Sequence, residues 1–180
     1  MDNSTENVTL YAAFVNDILN VYKDKDDYHQ VLSKMVEGYD LKEPFNKVPI
    51  KLYNQMCDWV ETNIGKANTK KVGRQIGKTA FDGMVAYKLI NEKPTPTQVM
   101  EGLVTVAAQM IQDPKKRGWQ IVQSSEKSIL MRRTQTFNSS LQFGLLETLI
   151  YKSGVFSPTV EYFKSVAAGD HYDEYLISWK

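Results

Sequence analysis

Apolar residues recur at three- and four-residue intervals through most of the first 110 positions. Over 9–22 the stripe is Leu10, Phe14, Ile18, Leu19 and Tyr22, which predicts an amphipathic helix, because positions three or four apart share a helix face. The charged run Lys23-Asp24-Lys25-Asp26-Asp27 interrupts it, and Tyr28, Val31, Leu32, Met35 and Val36 resume the period up to Gly38, a residue suited to ending a helix. Beyond Pro44 and Pro49 a third stripe runs through Ile50, Tyr53, Met56, Cys57, Val60 and Ile64 to Gly65. A fourth leads from about Thr69 through Val72, Ile76, Ala80 and Phe81 toward Leu89, where Pro94 and Pro96 stop it. The fifth helix contains Val99, Leu103, Val106, Ala107 and Met110, with Thr97 as its expected cap and Glu101 placed for a variant of the capping box.

The period changes after Asp113-Pro114. Residues 119–123 and 128–134 are β-rich runs separated by Ser124-Ser125-Glu126-Lys127, which predicts a hairpin. A helical stripe of Leu141, Leu145, Leu146, Leu149 and Ile150 fills 139–153, and two more strands, 159–164 and 173–179, flank Gly169-Asp170. About five helices followed by β-β-α-β-β predict an α+β chain. It reads as one domain over 1–180, with a helical part at 1–113 and an antiparallel sheet at 118–180 that carries helices on one face.

Composition narrows the function more than the fold. Apolar residues at 42% and charged ones at 24% are ordinary for a chain with a packed core. With 22 basic and 21 acidic side chains the net charge is +1, so neither nucleic acid nor an anionic membrane is attracted in bulk. Cys57 is the sole cysteine, and residues 1–6 have neither the basic region nor the apolar stretch of a secretion signal. A reducing cytoplasm is the expected location. No apolar run approaches the ~18 residues of a membrane span.

The candidate chemistry is thin. Gly73-Arg74-Gln75-Ile76-Gly77-Lys78-Thr79 ends like a phosphate loop, but it has three residues between the glycines where four are needed, and it falls within a helix. Glycines four apart are better suited to letting another backbone come close, with Arg74 and Lys78 pointing outward. The two histidines, His29 and His171, have no partners at ligand spacing, and Cys57 lies on an apolar stripe. No catalytic centre, metal site or cofactor is expected. Basic knots occur at Lys115-Lys116-Arg117 and Arg132-Arg133. Neighbours on a strand point to opposite faces, so one of the second pair should face the helices and need an anion. That anion is either an internal carboxylate or the carboxylate or phosphate of a ligand.

Several strings, taken in order, resemble one bacterial superfamily. Val48-Pro49-Ile50-Lys51-Leu52-Tyr53 and Gly73-Arg74-Gln75-Ile76-Gly77 resemble the helical half of the haem-nitric-oxide-binding (H-NOX) and vinyl-reductase-type domains. The run from Trp119 through Asn138-Ser139-Ser140 and Leu145-Leu146-Glu147, then Val160-Glu161, Gly169-Asp170 and Tyr175-Leu176-Ile177-Ser178-Trp179, resembles their sheet half. The resemblance implies a small molecule held between helices and sheet, and a sensory role.

Two departures set this chain apart. The haem-binding branch uses a histidine from a middle helix and a Tyr-x-Ser-x-Arg string; here no histidine lies between His29 and His171, and the corresponding stretch reads Leu130-Met131-Arg132-Arg133-Thr134. The vinyl-reductase branch often carries C-terminal cysteines, which are missing from Gly169-Asp170-His171-Tyr172-Asp173. The expectation is therefore a divergent, haem-free, non-catalytic small-molecule-binding or sensory domain. Trp119, Met131, Arg133, Phe143 and Tyr162 are expected around a small apolar or anionic ligand, with Arg133 on its anionic group. The other reading is a protein-interaction or dimerisation module of a bacterial signalling system. There, the sheet's exposed face or the first helix would dock a signalling protein or a second copy.

Overall fold

The computed structural model describes residues 2–180, and its first regular element is a strand rather than a helix. Strand β1 (Thr9–Tyr11) runs straight into helix α1 (Ala12–Tyr22), and pairs antiparallel with β2 (Lys47–Pro49) and β3 (Ile111–Gln112) in the order β2-β1-β3. Three residues are too few to display a period of two, and Leu10 fits the helical stripe equally well, so the pattern extended the helix over a strand. This small sheet is a clasp. β2 leads directly into α3 (Ile50–Asn63) and β3 leaves α5 (Pro96–Met110), so the first, third and fifth helices all begin or end at one place. Across it the Thr9 hydroxyl donates to Gln112 Oε1 at 2.9 Å.

The remaining helices of this half are α2 (Asp26–Met35) and α4 (Lys66–Ala86). The cap of α5 is Thr95, not Thr97: the Gln98 amide donates to Thr95 Oγ1 at 3.3 Å and the Thr95 amide donates to Gln98 Oε1 at 2.9 Å. Pro96, which looked like a stop, is the first residue of the helix. Its fixed φ suits that position and its missing N–H is one that a helix start leaves unused.

The second sheet holds β4 (Trp119–Ser124), β5 (Ser128–Arg133), β6 (Thr159–Lys164) and β7 (Asp173–Ser178) in the all-antiparallel order β4-β5-β7-β6. Helix α6 (Ser139–Lys152) lies between β5 and β6 in sequence, and Asn138 caps it by accepting from the Leu141 amide at 3.0 Å. Ile129, Met131 and Arg133 of β5 and Tyr175 and Ile177 of β7 are buried. Arg132, on the opposite face, bonds Glu174 at 2.6 Å, and Lys164 joins the same carboxylate at 3.3 Å. Of the two adjacent arginines, Arg133 is therefore the one that faces inward.

Helices α4 and α6 approach each other backbone to backbone, and glycine makes it possible. A Cβ on Gly73 would stand 2.0 Å from the Leu141 carbonyl oxygen, and one on Gly144 would stand 2.0 Å from the Lys70 carbonyl oxygen. Gly77 continues the seam, with the Leu145 oxygen 2.8 Å from where its Cβ would be. These obstacles are backbone atoms, which cannot turn aside as a flexible side chain would. Arg74–Glu147 at 2.9 Å and Lys152–Asp82 at 2.9 Å bridge the same two helices at the solvent edge. The string that looked like a truncated phosphate loop is a helix-packing surface.

Gly73→Ala and Gly144→Ala should each destabilise the protein by at least ~2 kcal/mol in urea unfolding, as overpacking does. Gly83→Ala on the same helix α4, where a Cβ would meet nothing within 4 Å, should instead stabilise by up to ~1 kcal/mol through helix propensity. Equal effects at Gly83 and Gly144 would contradict the seam.

Candidate functional site

Residues of helices α4, α5 and α6 come together with Trp119 at the edge of the larger sheet. An apolar cavity of about 40 Å³ lies there. Its walls include Ile76 and Ala80 of α4, Leu103 and Val106 of α5, and Leu141, Gln142 and Leu145 of α6. Four aromatic rings complete it: Phe14, Tyr53, Phe137 and Trp119. Phe14 and Phe137 both meet Tyr53 edge-on, at centroid distances of 6.3 and 5.8 Å, the arrangement that aligns ring edges with ring faces.

Of the five residues expected around a ligand, Trp119 lines this cavity and the other four stand elsewhere. Met131 is fully buried at the middle of β5. Phe143 and Tyr162 form a separate aromatic group around Tyr175, which lies 6.1 and 5.2 Å from them and 5.7 Å from Trp119. Lys70 caps that group, its Nζ 3.9 Å from the Phe143 centroid. The partner of Arg133 is internal. Its guanidinium donates to the Asp173 carboxylate, to Ser139 Oγ at 3.1 Å and to the carbonyls of Gln135 and Phe137 at 2.7 Å each. The geometry thus answers the question of its anion with Asp173 and leaves the fork no free pair of donors for a guest's anionic group.

Asp173 is correspondingly held. Burial alone would raise its carboxyl, but the Ser139 hydroxyl, the Val166 amide and Arg133 outweigh burial and hold it below the usual carboxylate range. Two of the three basic residues before Trp119 are also spoken for: Lys115 bonds Asp2 at 2.5 Å, and Arg117 bonds Asp113 at 2.7 Å and the carbonyls of Asp2 and Ser4 at 2.8 Å each.

One buried carboxyl is unlike the rest. Asp17 of α1 is only 7% exposed, and its Oδ1 accepts from Thr79 of α4 at 3.0 Å. Burial pushes it up to about 6, with the hydrogen bonds from Thr79 and Gln75 pulling the other way. Burial likewise raises the Cys57 thiol and the Tyr53 phenol well above their ordinary values, so both stay protonated. Cys57 is a core residue, without the thiolate that nucleophilic chemistry requires.

No family model matches the sequence, and no curated protein does. Solved structures match the fold instead. An H-NOX domain from Shewanella oneidensis, a mutant in its Fe(II)CO state, superposes with a TM-score of 0.69 at 9% identity, covering 95% of this chain and 99% of that one. A structure from a study of haem distortion in the H-NOX family gives 0.67 at 14%, covering 95% of each chain. The Fe(II) unliganded H-NOX protein from K. algicida gives 0.65 at 11%, over 95% of this chain and 97% of that. The chain has an H-NOX-like fold. These three matches fall on the haem-nitric-oxide-binding side of the resemblance, not the vinyl-reductase side.

The H-NOX fold raises the question of haem, and the residues present do not fit it. Haem iron needs an axial donor, most often histidine, and none lines the cavity. His29 lies on α2 beside Ser33, and His171 is exposed in the turn before β7. The other donor types on the wall are the Tyr53 phenol, which burial raises well above its ordinary value, and the Met110 thioether, which serves as an axial ligand mainly alongside a histidine. Space is the second obstacle, because about 40 Å³ is far short of the ~300 Å³ at which pockets for larger ligands begin. Among the described residues no group of three His, Cys, Asp or Glu side chains could hold a metal ion, and no helix is long and apolar enough to cross a membrane.

Sequence reasoning missed most of the cavity wall. Phe14, Tyr53, Leu103 and Leu141 carry no mark that separates them from other core residues. Gln142 does, since it sits one position from Leu141 and four before Leu146, on the buried side of an otherwise leucine-rich stripe.

Two outcomes follow for the charged groups. Arg133→Ala should cost ~3–5 kcal/mol in chemical denaturation, because it strands Asp173 as a buried, unpaired charge. Asp17 binds its proton more tightly when folded than when unfolded, where its value is 3.8. Its contribution is fully present below about pH 4 and is lost as pH rises through about 6, on the order of 2–3 kcal/mol. Asp17→Asn, which keeps the acceptor for Thr79, should flatten that slope and be the more stable form at pH 7; an unchanged slope between pH 4 and 7 would show Asp17 is not its source.

Proposed function

We propose that this chain is a haem-free, non-catalytic small-molecule-binding domain of sensory type, whose site is the apolar cavity between α4, α5, α6 and the sheet edge. The observation that carries the reading is the cavity itself: an H-NOX-like fold with apolar and aromatic walls, no histidine on them, and room for only a few heavy atoms. Trp119 is the residue of the expected five that contributes to binding; Arg133, Met131, Phe143 and Tyr162 support the wall from the sheet and from α6. A guest of this size gains affinity from desolvation of apolar surface and not from many polar contacts.

A second reading is favoured by one feature. Tyr151, Phe156 and Phe163 are 71, 73 and 58% exposed near the β6 edge, and exposed aromatics of this kind suit a protein partner or a second copy. It relies on the sheet edge, since α1 is packed into the core through Val15, Ile18 and Tyr22.

Protein produced with excess haem precursor should purify without a Soret band, and xenon should shift the methyl resonances of Ala80 and Ala107 selectively. One haem per chain would overturn the haem-free part. Xenon shifts that are absent, or spread evenly over the core, would overturn the cavity as a site.

A further inference from the structure

The cavity wall contains one polar group with nothing to bind. Gln142 is 3% exposed, and its side-chain Oε1 has no hydrogen-bond partner among the described residues. Its main chain is satisfied, because the backbone amide donates to the Asn138 carbonyl at 3.2 Å. A buried amide oxygen left unpaired opposes folding, whereas leucine would fill similar volume with no polar atom to leave over. Gly144, two residues on, holds α6 against the Lys70 carbonyl of α4, so the backbone that carries Gln142 is fixed in place beside the cavity.

We infer that Gln142 is the recognition group of this cavity, and that its guest is a small neutral molecule of the alcohol type, with a hydrogen-bond donor on an apolar body. The inference rests on the cavity being a binding site, as proposed above, and adds the chemistry of what enters. Size comes from the volume: one water-sized molecule needs ~10–15 Å³ of such space, so about 40 Å³ admits about three heavy atoms. Neutrality comes from the walls, which contain no charged side chain, so an ionic guest would enter without a counter-charge. The donor is dictated by Oε1, an acceptor only. The apolar body is dictated by Leu141, Leu145 and the aromatic rings around it.

Ethanol and xenon are the probes, applied to the full chain. In wild-type protein, ethanol should move the Gln142 side-chain Nε2 proton resonances together with the Ala80 and Ala107 methyls, while xenon moves the methyls alone. Gln142→Leu should weaken ethanol about fivefold, the equivalent of one neutral hydrogen bond, and leave xenon binding equal or tighter. Gln142→Met serves as a second variant should the leucine fail to fold, and the wild-type amide shifts need no variant. Ethanol binding equally to wild type and both variants, or leaving the Gln142 amide unmoved, overturns the role of Gln142 while xenon still supports the cavity. If neither probe moves the cavity methyls, the binding site itself is refuted and the inference with it.

Discussion

Helices α4 and α6 touch through their backbones at Gly73, Gly77 and Gly144, and the layers around them take their positions from that contact. Two helices with ordinary side chains between them stand about 8–10 Å apart; side chains as small as hydrogen at the crossing let the peptide planes meet. The reciprocal arrangement, Gly73 on the Leu141 carbonyl and Gly144 on the Lys70 carbonyl, fixes both the distance and the register. Both helices also contribute to the cavity of about 40 Å³, through Ile76 and Ala80 on one and Leu141, Gln142 and Leu145 on the other.

The second constraint joins α6 to the sheet. Arg133 reaches from the end of β5 to Asp173 at the start of β7, and draws in Ser139 at the beginning of α6 and the carbonyls of the intervening turn. A buried ion pair gives little stability relative to well-packed apolar residues, but its directional bonds define one arrangement of the chain. Here it holds the 134–138 turn closed, and Asn54 of α3 reinforces the turn by donating to the Thr136 carbonyl at 3.0 Å. Phe137, in that turn, thereby becomes a wall of the cavity. Seam and ion pair thus both fix elements that supply cavity walls, α4 and α6 in one case and the turn carrying Phe137 in the other.

Much of the architecture was readable in one dimension. The helical stripes, the hairpin at 119–134, the leucine helix and the two final strands all appear where the periodicity put them. The errors have local causes. Strands β1, β2 and β3 are two or three residues long and leave no alternation to detect, and Pro96 reads as a terminator until Thr95 and Gln98 are seen capping around it. The site was far less legible. Trp119 is conspicuous as a tryptophan beginning a β-run, whereas Phe14, Tyr53 and Leu103 look like any other apolar position, and Phe143 and Tyr162 serve a neighbouring aromatic group.

What the sequence determined by itself is whatever depends on neighbours a few positions away: which faces are apolar, where helices begin and end, that one of two adjacent arginines must point inward, and that glycines four apart suit a close approach. It also excluded a histidine donor from the middle helices, since that needs no coordinates. Only the tertiary structure could decide which backbone approaches Gly73, which carboxylate meets Arg133 across 40 positions of sequence, and whether Gln142 finds a partner. Those outcomes rest on distances between segments remote in the chain, and packing, not periodicity, sets such distances.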